Sequence, residues 1–317
     1  MGKKKPKPKI LTEVNKRIPQ GVNYAFQKNI SYSQMSIYYD CKYRWKLQYK
    51  DRLRPFTSSI HTVFGSALHT VIQDYLDKMY NESIVASNKL NLVFRFEKEF
   101  VEEYQRQYSK NNNTHFSSAE EMREFFEDGV QILEYLKKKR GAYFSKRGTY
   151  LVGCELPVIL PPNPSKPNLL FTGYLDVVFY NEKVDKFEIV DIKTSTKGWG
   201  DYQKKDDLKK SQLIIYKKLF SEQYGIPLDK IEVKFFIVKR KIWEDSPFPI
   251  KRVQEFIPPS GKAKMNFATK LIDDFVSNNF NSKGEILDQE YLPSPSSSTC
   301  KFCPFLNTQH CKVGISS

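Results

Sequence analysis

The sequence lacks any run of 18 uncharged apolar residues, which excludes a helix long and greasy enough to cross a bilayer. No apolar segment follows its basic start, MGKKKPKPKI, as a secretory leader requires, and Pro6 stands where a myristoylation signal carries Ser or Thr. The expectation is a soluble, intracellular (cytoplasmic) protein with no membrane partner. The chain also lacks a Gly-x-x-x-x-Gly-Lys-Ser/Thr loop, so any helicase motor acting with it must be a separate protein. Internal repeats are absent. Cysteine is scarce: Cys41, Cys154, Cys300, Cys303 and Cys311 make five, and an odd count in such a chain argues against a disulfide framework. Three of the five nevertheless fall in the last 18 residues, and that clustering needs a cause.

Basic charge is abundant. Fifty-one Lys and Arg against 36 Asp and Glu give a formal net charge of +15 over 317 residues. Phosphate backbones are the commonest partners of such a surface, because each neutralised phosphate releases condensed counterions. A solvated basic face that merely aids solubility is the alternative. Apolar residues at 40% and aromatics at 14% are ample for a full hydrophobic core.

Hydrophobic periodicity divides the chain into two textures. Residues 1–30 read as a basic flexible arm. Residues 31–80 read as N-terminal helices: one over Ser31–Leu53, with Tyr38, Tyr39, Tyr43, Trp45 and Tyr49 interleaved with Lys and Arg, and a second starting near His61 or Val63. Residues 81–149 read as a helical insertion with helices near Leu90–Tyr108 and Ser118–Lys139, the latter opened by a capping pattern of Ser118 and Glu121. Strands are predicted at Tyr150–Leu160, Leu170–Tyr180, Lys186–Thr194 and Ile231–Lys239, and helices at Asp206–Tyr224 and Gly261–Asn279. Residues 150–290 thus form a core, and a linker at Pro293–Ser298 leads into a cysteine-rich end over 291–317. The fold class is α/β (α+β-like), a central mixed β-sheet flanked by helices.

The chemistry concentrates in the pair FTGYLDVVFY and KFEIVDIKTS. If the hairpin turns symmetrically about Lys183–Val184, Tyr180 faces Phe187, Val178 faces Ile189 and Asp176 faces Asp191. Two carboxylates opposed on apolar strands repel each other and require a proton or a cation between them. A divalent metal with oxygen ligands suits that place. Lys193, two residues past Asp191, projects to the same sheet face and can neutralise charge developing on a phosphate. An ordinary surface Asp-x-Lys pair is the alternative.

GYLDVV, then VDIKTS, then QLIIY on the following helix resemble the PD-(D/E)XK nuclease superfamily, in its RecB-like branch of AddB-type, CRISPR-adaptation and exonuclease V-type nucleases. The resemblance implies a restriction-endonuclease-like core with an inserted helical lobe. It also implies a Mg2+- or Mn2+-dependent (exo)deoxyribonuclease of DNA replication, recombination or repair, working on DNA ends or single strands, with a separate helicase or recombination protein as a candidate partner. Asp176 and Asp191 would bind the metal, and Lys193 would act in catalysis. His69, in GSALH, would join the metal site; on its own a lone helical histidine is as readily a packing residue. Gln212 and Tyr216, at i and i+4, would line the active centre from one helical face. Glu155 resembles a further acid on the preceding strand, or is surface charge. Leu175 replaces the family's proline before the first acid. A silent DNA-binding scaffold, or a structure-specific endonuclease or RNA nuclease, would keep the same fold.

Cys300-x2-Cys303-x7-Cys311 lacks one thiolate of a four-sulfur site, and Cys41 is the candidate. Ligands at both chain ends resemble the four-iron, four-sulfur (4Fe-4S) clasp of the same branch. A lone Cys-x-x-Cys would suit Zn2+ as well, and ordinary free thiols are a third reading. Lys42 stands where a proline often follows the first cysteine, His310 is a possible substitute ligand, and Cys154 reads as a small core residue. Trp199, Lys204, Lys205, Lys209, Lys210 and KFFIVKRKIW are candidates for contacts with DNA backbone and unstacked bases.

Overall fold

The computed structural model describes residues 7–20, 28–243 and 251–315. In chain order, helix α1 (Lys9–Lys16) and strand β1 (Lys28–Ile30) precede α2 (Tyr32–Asp40) and α3 (Lys42–Trp45), which continues as a π-turn over Lys46–Lys50. Helices α4 (Ile60–Asn81), α5 (Ile84–Asn88), α6 (Leu92–Lys110), α7 (Ala119–Lys138) and α8 (Arg140–Tyr143) follow. Strands β2 (Thr149–Leu160), β3 (Leu169–Asn181) and β4 (Lys186–Ser195) lead into α9 (Asp201–Lys205) and α10 (Asp207–Tyr224). The chain ends through β5 (Ile231–Lys239), β6 (Val253–Phe256), α11 (Lys262–Asn279) and α12 (Ser297–Cys300). Among the described residues no helix is long and apolar enough to cross a membrane.

Contacts group the chain into two compact units, each assembled from three separated stretches of sequence. One holds Met1–Ile18, Ser58–Leu156 and Tyr174–Ser260; the other holds Pro19–Thr57, Pro157–Gly173 and Gly261–Ser317. The sheet is mixed, in the order β1-β3-β4-β5-β6 with β2 also paired to β3.

In the first unit, β3 and β4 are antiparallel with Tyr180 opposite Phe187 and Val178 opposite Ile189, the register expected from a symmetric turn. β5 lies parallel to β4, and β6 antiparallel to β5. Parallel pairing of β4 with β5 needs a crossover, and α10 supplies it. Side chains alternate across the pleat. Val177, Phe179, Val190, Ile192, Phe236 and Val238 join the apolar faces of α4, α6 and α7 in one buried cluster. The alternate residues face the other way, where Phe187 packs on Phe220 of α10. Two helices of the cluster, α6 and α7, are capped by side chains: Asn91 accepts from Phe94 N–H and Ser118 from Glu121 N–H, satisfying first-turn donors that have no partner within the helix. Inside the stretch expected as a flexible arm, α1 buries Leu11 and Val14; residues 1–6 and 21–27 lie outside the described residues.

In the second unit, β1 runs parallel to Leu169–Phe171. The helix expected over Ser31–Leu53 is broken: Cys41 is extended, with φ −158° and ψ 111°, between α2 and α3. Trp45 is fully buried there, ringed by Tyr38, Phe275, Phe280 and Tyr291. Lys50 pairs with Asp288 at 2.6 Å, and Tyr39 donates to the carbonyl of Leu271 at 2.6 Å.

Candidate metal centre

The paired residues of the β3–β4 ladder end at Val177 opposite Val190, one step before the acids. There the Asp176 carboxylate replaces a main-chain acceptor, its Oδ2 taking the N–H of Ile192 at 2.7 Å. Asp176 shares the parity of Val178, and Asp191 and Lys193 that of Ile189. All three therefore project away from the α4–α6–α7 cluster, toward the face that carries α10.

His69 arrives from α4. Its Nε2 lies 2.6 Å from the Ile192 carbonyl. A carbonyl only accepts, so Nε2 carries the proton and Nδ1 keeps its lone pair. That Nδ1 lies 3.7 Å from Asp176 Oδ2. Burial holds His69 below its ordinary pKa, which keeps the ring in the neutral form that ligates metals. Glu155 enters from β2 with φ 49°, a left-handed backbone that non-glycine residues seldom adopt. The pleat slips beside it: Cys154 packs against the same cluster as Leu151, although the two differ in parity.

His69, Glu155 and Asp176 each offer one ligand atom within 4.8 Å of the others. An octahedral ion with bonds of about 2.1 Å places ligands roughly 3 to 4.2 Å apart, so modest closure would bring these atoms to the spacing a bound cation needs. Two carboxylate oxygens and one imidazole nitrogen suit Mg2+ or Mn2+. Asp191 is outside this trio. It is 3% exposed, and the Lys193 ammonium stands 2.8 Å from its Oδ2. Burial, then the charge of Asp191, push the Asp176 carboxyl well above its usual range. Lys193 stays protonated because Asp191 and Asp176 outweigh its own burial. At formal charge the three carboxylates Glu155, Asp176 and Asp191 stand against the one ammonium of Lys193, with His69 neutral, a net −2 that a divalent ion would balance.

Gln212 and Tyr216 lie one turn apart on α10. Tyr216 is 8% exposed, and its hydroxyl pKa is raised first by burial, with Gln212 bonding to it and Asp191, Asp176 and Glu155 acting on it electrostatically. Sequence reading missed two participants. Gln73, one turn beyond His69 on α4, donates from Nε2 to Glu155 Oε1 at 2.6 Å and to the Asp176 carbonyl at 3.0 Å. The backbone of Ile192 is the other. The i, i+4 spacing of His69 and Gln73 was the available signal for the first; nothing in a side-chain code announces the second.

Several expected DNA contacts are corrected. Trp199 is 8% exposed, its ring packed on Phe235 at 4.8 Å with Lys209 over it at 5.2 Å, so it is a core residue and cannot stack on a base. Lys210 is buried against Asp207. In KFFIVKRKIW, Lys234 is buried between Glu188 and Glu255, and both Arg240 and Lys241 pair with Glu124 and Asp128. These charges are already neutralised within the unit. Lys204 and Lys205 lie on α9, Lys205 exposed and Lys204 half-buried.

In the second unit Cys41, Cys300, Cys303 and Cys311 line one cavity together with Tyr43, Arg44, Phe305 and Gly314. Their sulfurs do not converge as the first set does: among the described residues no three thiols lie within 4.8 Å of one another. His310 packs edge-on to Phe305 and lends its carbonyl to the Tyr43 hydroxyl. Cys154 is half-buried beside Glu155, its thiol pushed up to about 12 by burial first and then by the surrounding carboxylates, a protonated and inert state.

No curated protein matches the chain. The sequence profile of the PD-(D/E)XK nuclease superfamily matches residues 29–308, a span that takes in the hairpin acids, the histidine of α4, the helix of Gln212 and Tyr216, and all five cysteines but Cys311. With a mixed sheet, a crossover helix and a carboxylate–lysine cluster at the fork of two strands behind that match, the chain belongs to the PD-(D/E)XK nuclease superfamily.

Proposed function

We propose that this chain is a Mg2+- or Mn2+-dependent deoxyribonuclease of the RecB-like branch, an exonuclease acting on DNA ends or single strands in replication, recombination or repair. The observation that carries the reading is the convergence of His69, Glu155 and Asp176 beside the buried Asp191–Lys193 pair. When bound, the divalent ion supplies Lewis acidity toward a phosphoryl oxygen. Lys193 offers its ammonium to the negative charge that grows on the phosphate in the transition state. Asp191 would bind the ion together with Asp176, and it holds the Lys193 ammonium beside them. His69 and Glu155 would help to hold the ion. Tyr216 and Gln212 form the wall that excludes water behind the phosphate.

The four cysteines support a 4Fe-4S clasp in the second unit. A tetrahedral Zn2+ site would hold its sulfurs roughly 3.8 Å apart. Four thiols lining one cavity would serve either group, and a single Cys-x-x-Cys joined by Cys41 from the other end of the chain is the feature that favours the cluster. A clasp of Cys41 with Cys300, Cys303 and Cys311 joins α2 to the C-terminal segment. DNA is the proposed partner, any helicase being a separate protein, and the cytoplasm the proposed location.

End-labelled single- and double-stranded DNA, incubated with Mg2+ or Mn2+ and with EDTA, tests the reading, with circular DNA as the end-free control. Metal-dependent release of short products from linear but not circular DNA is the expected result. Cleavage of circles would make it an endonuclease, and binding without cleavage in any metal a silent scaffold.

A further inference from the structure

We infer that Gln73 is the positioning residue of the metal centre, the group that makes Glu155 a ligand rather than a loose surface acid. The inference rests on the metal-site reading above and adds to it a residue and a role. Glutamate side chains on an exposed strand edge sample many rotamers, and an exposed carboxylate so placed is a poor ligand because ordering it opposes binding. Here its freedom is removed. The Gln73 amide has two N–H groups, and both are used: one reaches Glu155 Oε1 at 2.6 Å, the other the main-chain carbonyl of Asp176 at 3.0 Å. One planar group therefore sets the distance between β2 and β3 at the level of the acids. It also occupies a single oxygen of Glu155 and leaves Oε2 for the cation.

The chemistry of the donor matters. A lysine or arginine in this place would cancel the carboxylate charge the ion needs, and an acid would add repulsion; a neutral amide orients the carboxylate and keeps its charge. Its location matters too. His69 and Gln73 occupy successive turns on one face of α4, so the helix that presents one ligand also carries the holder of another. The left-handed backbone of Glu155, with φ 49°, turns the side chain toward that holder.

The test is a double-mutant cycle read by Mn2+ titration calorimetry on the full chain, comparing wild type with Gln73→Met, Glu155→Gln and the double variant. Loss of a second layer of hydrogen bonding typically weakens metal binding by roughly 10- to 100-fold. Gln73→Met should fall in that range, keep its melting transition in EDTA, and cost nothing further once Glu155→Gln is present. A purely structural glutamine would weaken both backgrounds equally, and that additive result overturns the inference, as does wild-type affinity in Gln73→Met. Should the methionine variant lose its transition, Gln73→Ala carries the same cycle. Wild-type protein that binds no Mn2+ at all would overturn the metal-site reading itself, and the inference with it.

Discussion

Removing Lys193 should damage the fold before it damages the chemistry, and metal should repair the damage. Asp191 is 3% exposed, and the Lys193 ammonium 2.8 Å away is the only cation found to pair with it among the described residues. Lys193→Ala leaves that carboxylate buried beside a second one, Asp176. Breaking a buried ion pair by deleting one partner costs about 3 to 5 kcal/mol, because the survivor stays desolvated without compensation. The Lys193 side chain is 33% exposed, so water partly reaches the site and the lower end, about 3 kcal/mol, applies. A divalent ion present at 100 times its dissociation constant returns about 2.7 kcal/mol through linkage, most of the deficit. The assay is urea unfolding of wild type and Lys193→Ala, each in EDTA and in Mn2+. The variant should be weaker by about 3 kcal/mol in EDTA, and Asp191→Asn placed on top of it should restore most of the loss by removing the stranded charge. DNA cleavage by Lys193→Ala in saturating metal should still fall by orders of magnitude. Equal stability of the two proteins in EDTA would refute the argument, as would a double variant weaker than Lys193→Ala alone.

Gly129→Ala should destabilise the first unit by about 1 to 2 kcal/mol in thermal melts: the new methyl would be driven into the fully buried ring of Phe96, an overpacking cost that exceeds the gain in helix propensity. Hydrogen bonds from Lys241 and then Arg240 hold the Glu124 carboxyl down to about 2 from 4.5. A depressed acid stabilises the fold above its unfolded pKa and loses that contribution as pH falls, so acid unfolding of Glu124→Gln should be shallower than wild type between pH 4.5 and 2. Trp199→Ala should lower the melting temperature, with a cost of about 3 kcal/mol or more, while DNA affinity of the folded fraction stays unchanged; a selective loss of affinity would return the ring to the DNA surface. Protein purified without oxygen should be brown, and Cys41→Ser should bleach it; colourless protein with one equivalent of zinc would move the site to Zn2+.

How much of this was legible differs from residue to residue for physical reasons. The hairpin register was readable because a one-residue slip would turn every apolar side chain of β3 and β4 to the wrong face, so the apolar pattern and the short turn admit one solution. The fate of the acids beyond Val177 was not, since the ladder gives way there and side chains take over as hydrogen-bond partners. The register leads on from Val177 and Val190 to Asp176 and Asp191 on adjacent strands, as expected; what the sequence left open is that His69 and Glu155 gather with Asp176 while Lys193 pairs with Asp191. Charge misled in the opposite direction. Arg240 and Lys241 look like a free basic run, but their partners Glu124 and Asp128 lie more than a hundred residues earlier, and no local pattern reveals a pairing made by tertiary folding. β6 was missed because four residues carry too little periodicity to register.

The role of Ile192 has an evolutionary side. Its side chain is sealed in the cluster on the far face, while its carbonyl steadies His69 and its amide steadies Asp176. Any amino acid but proline would bring the same two groups, so a codon change at this position leaves the polar grip untouched and can alter only the fit of the apolar cluster behind it. The orientation of these two candidate ligands is thus heritable through strand geometry alone. A scan that replaces side chains one at a time would pass over it, and only exchanging the amide for an ester, or shifting the strand, would reveal what that peptide group holds.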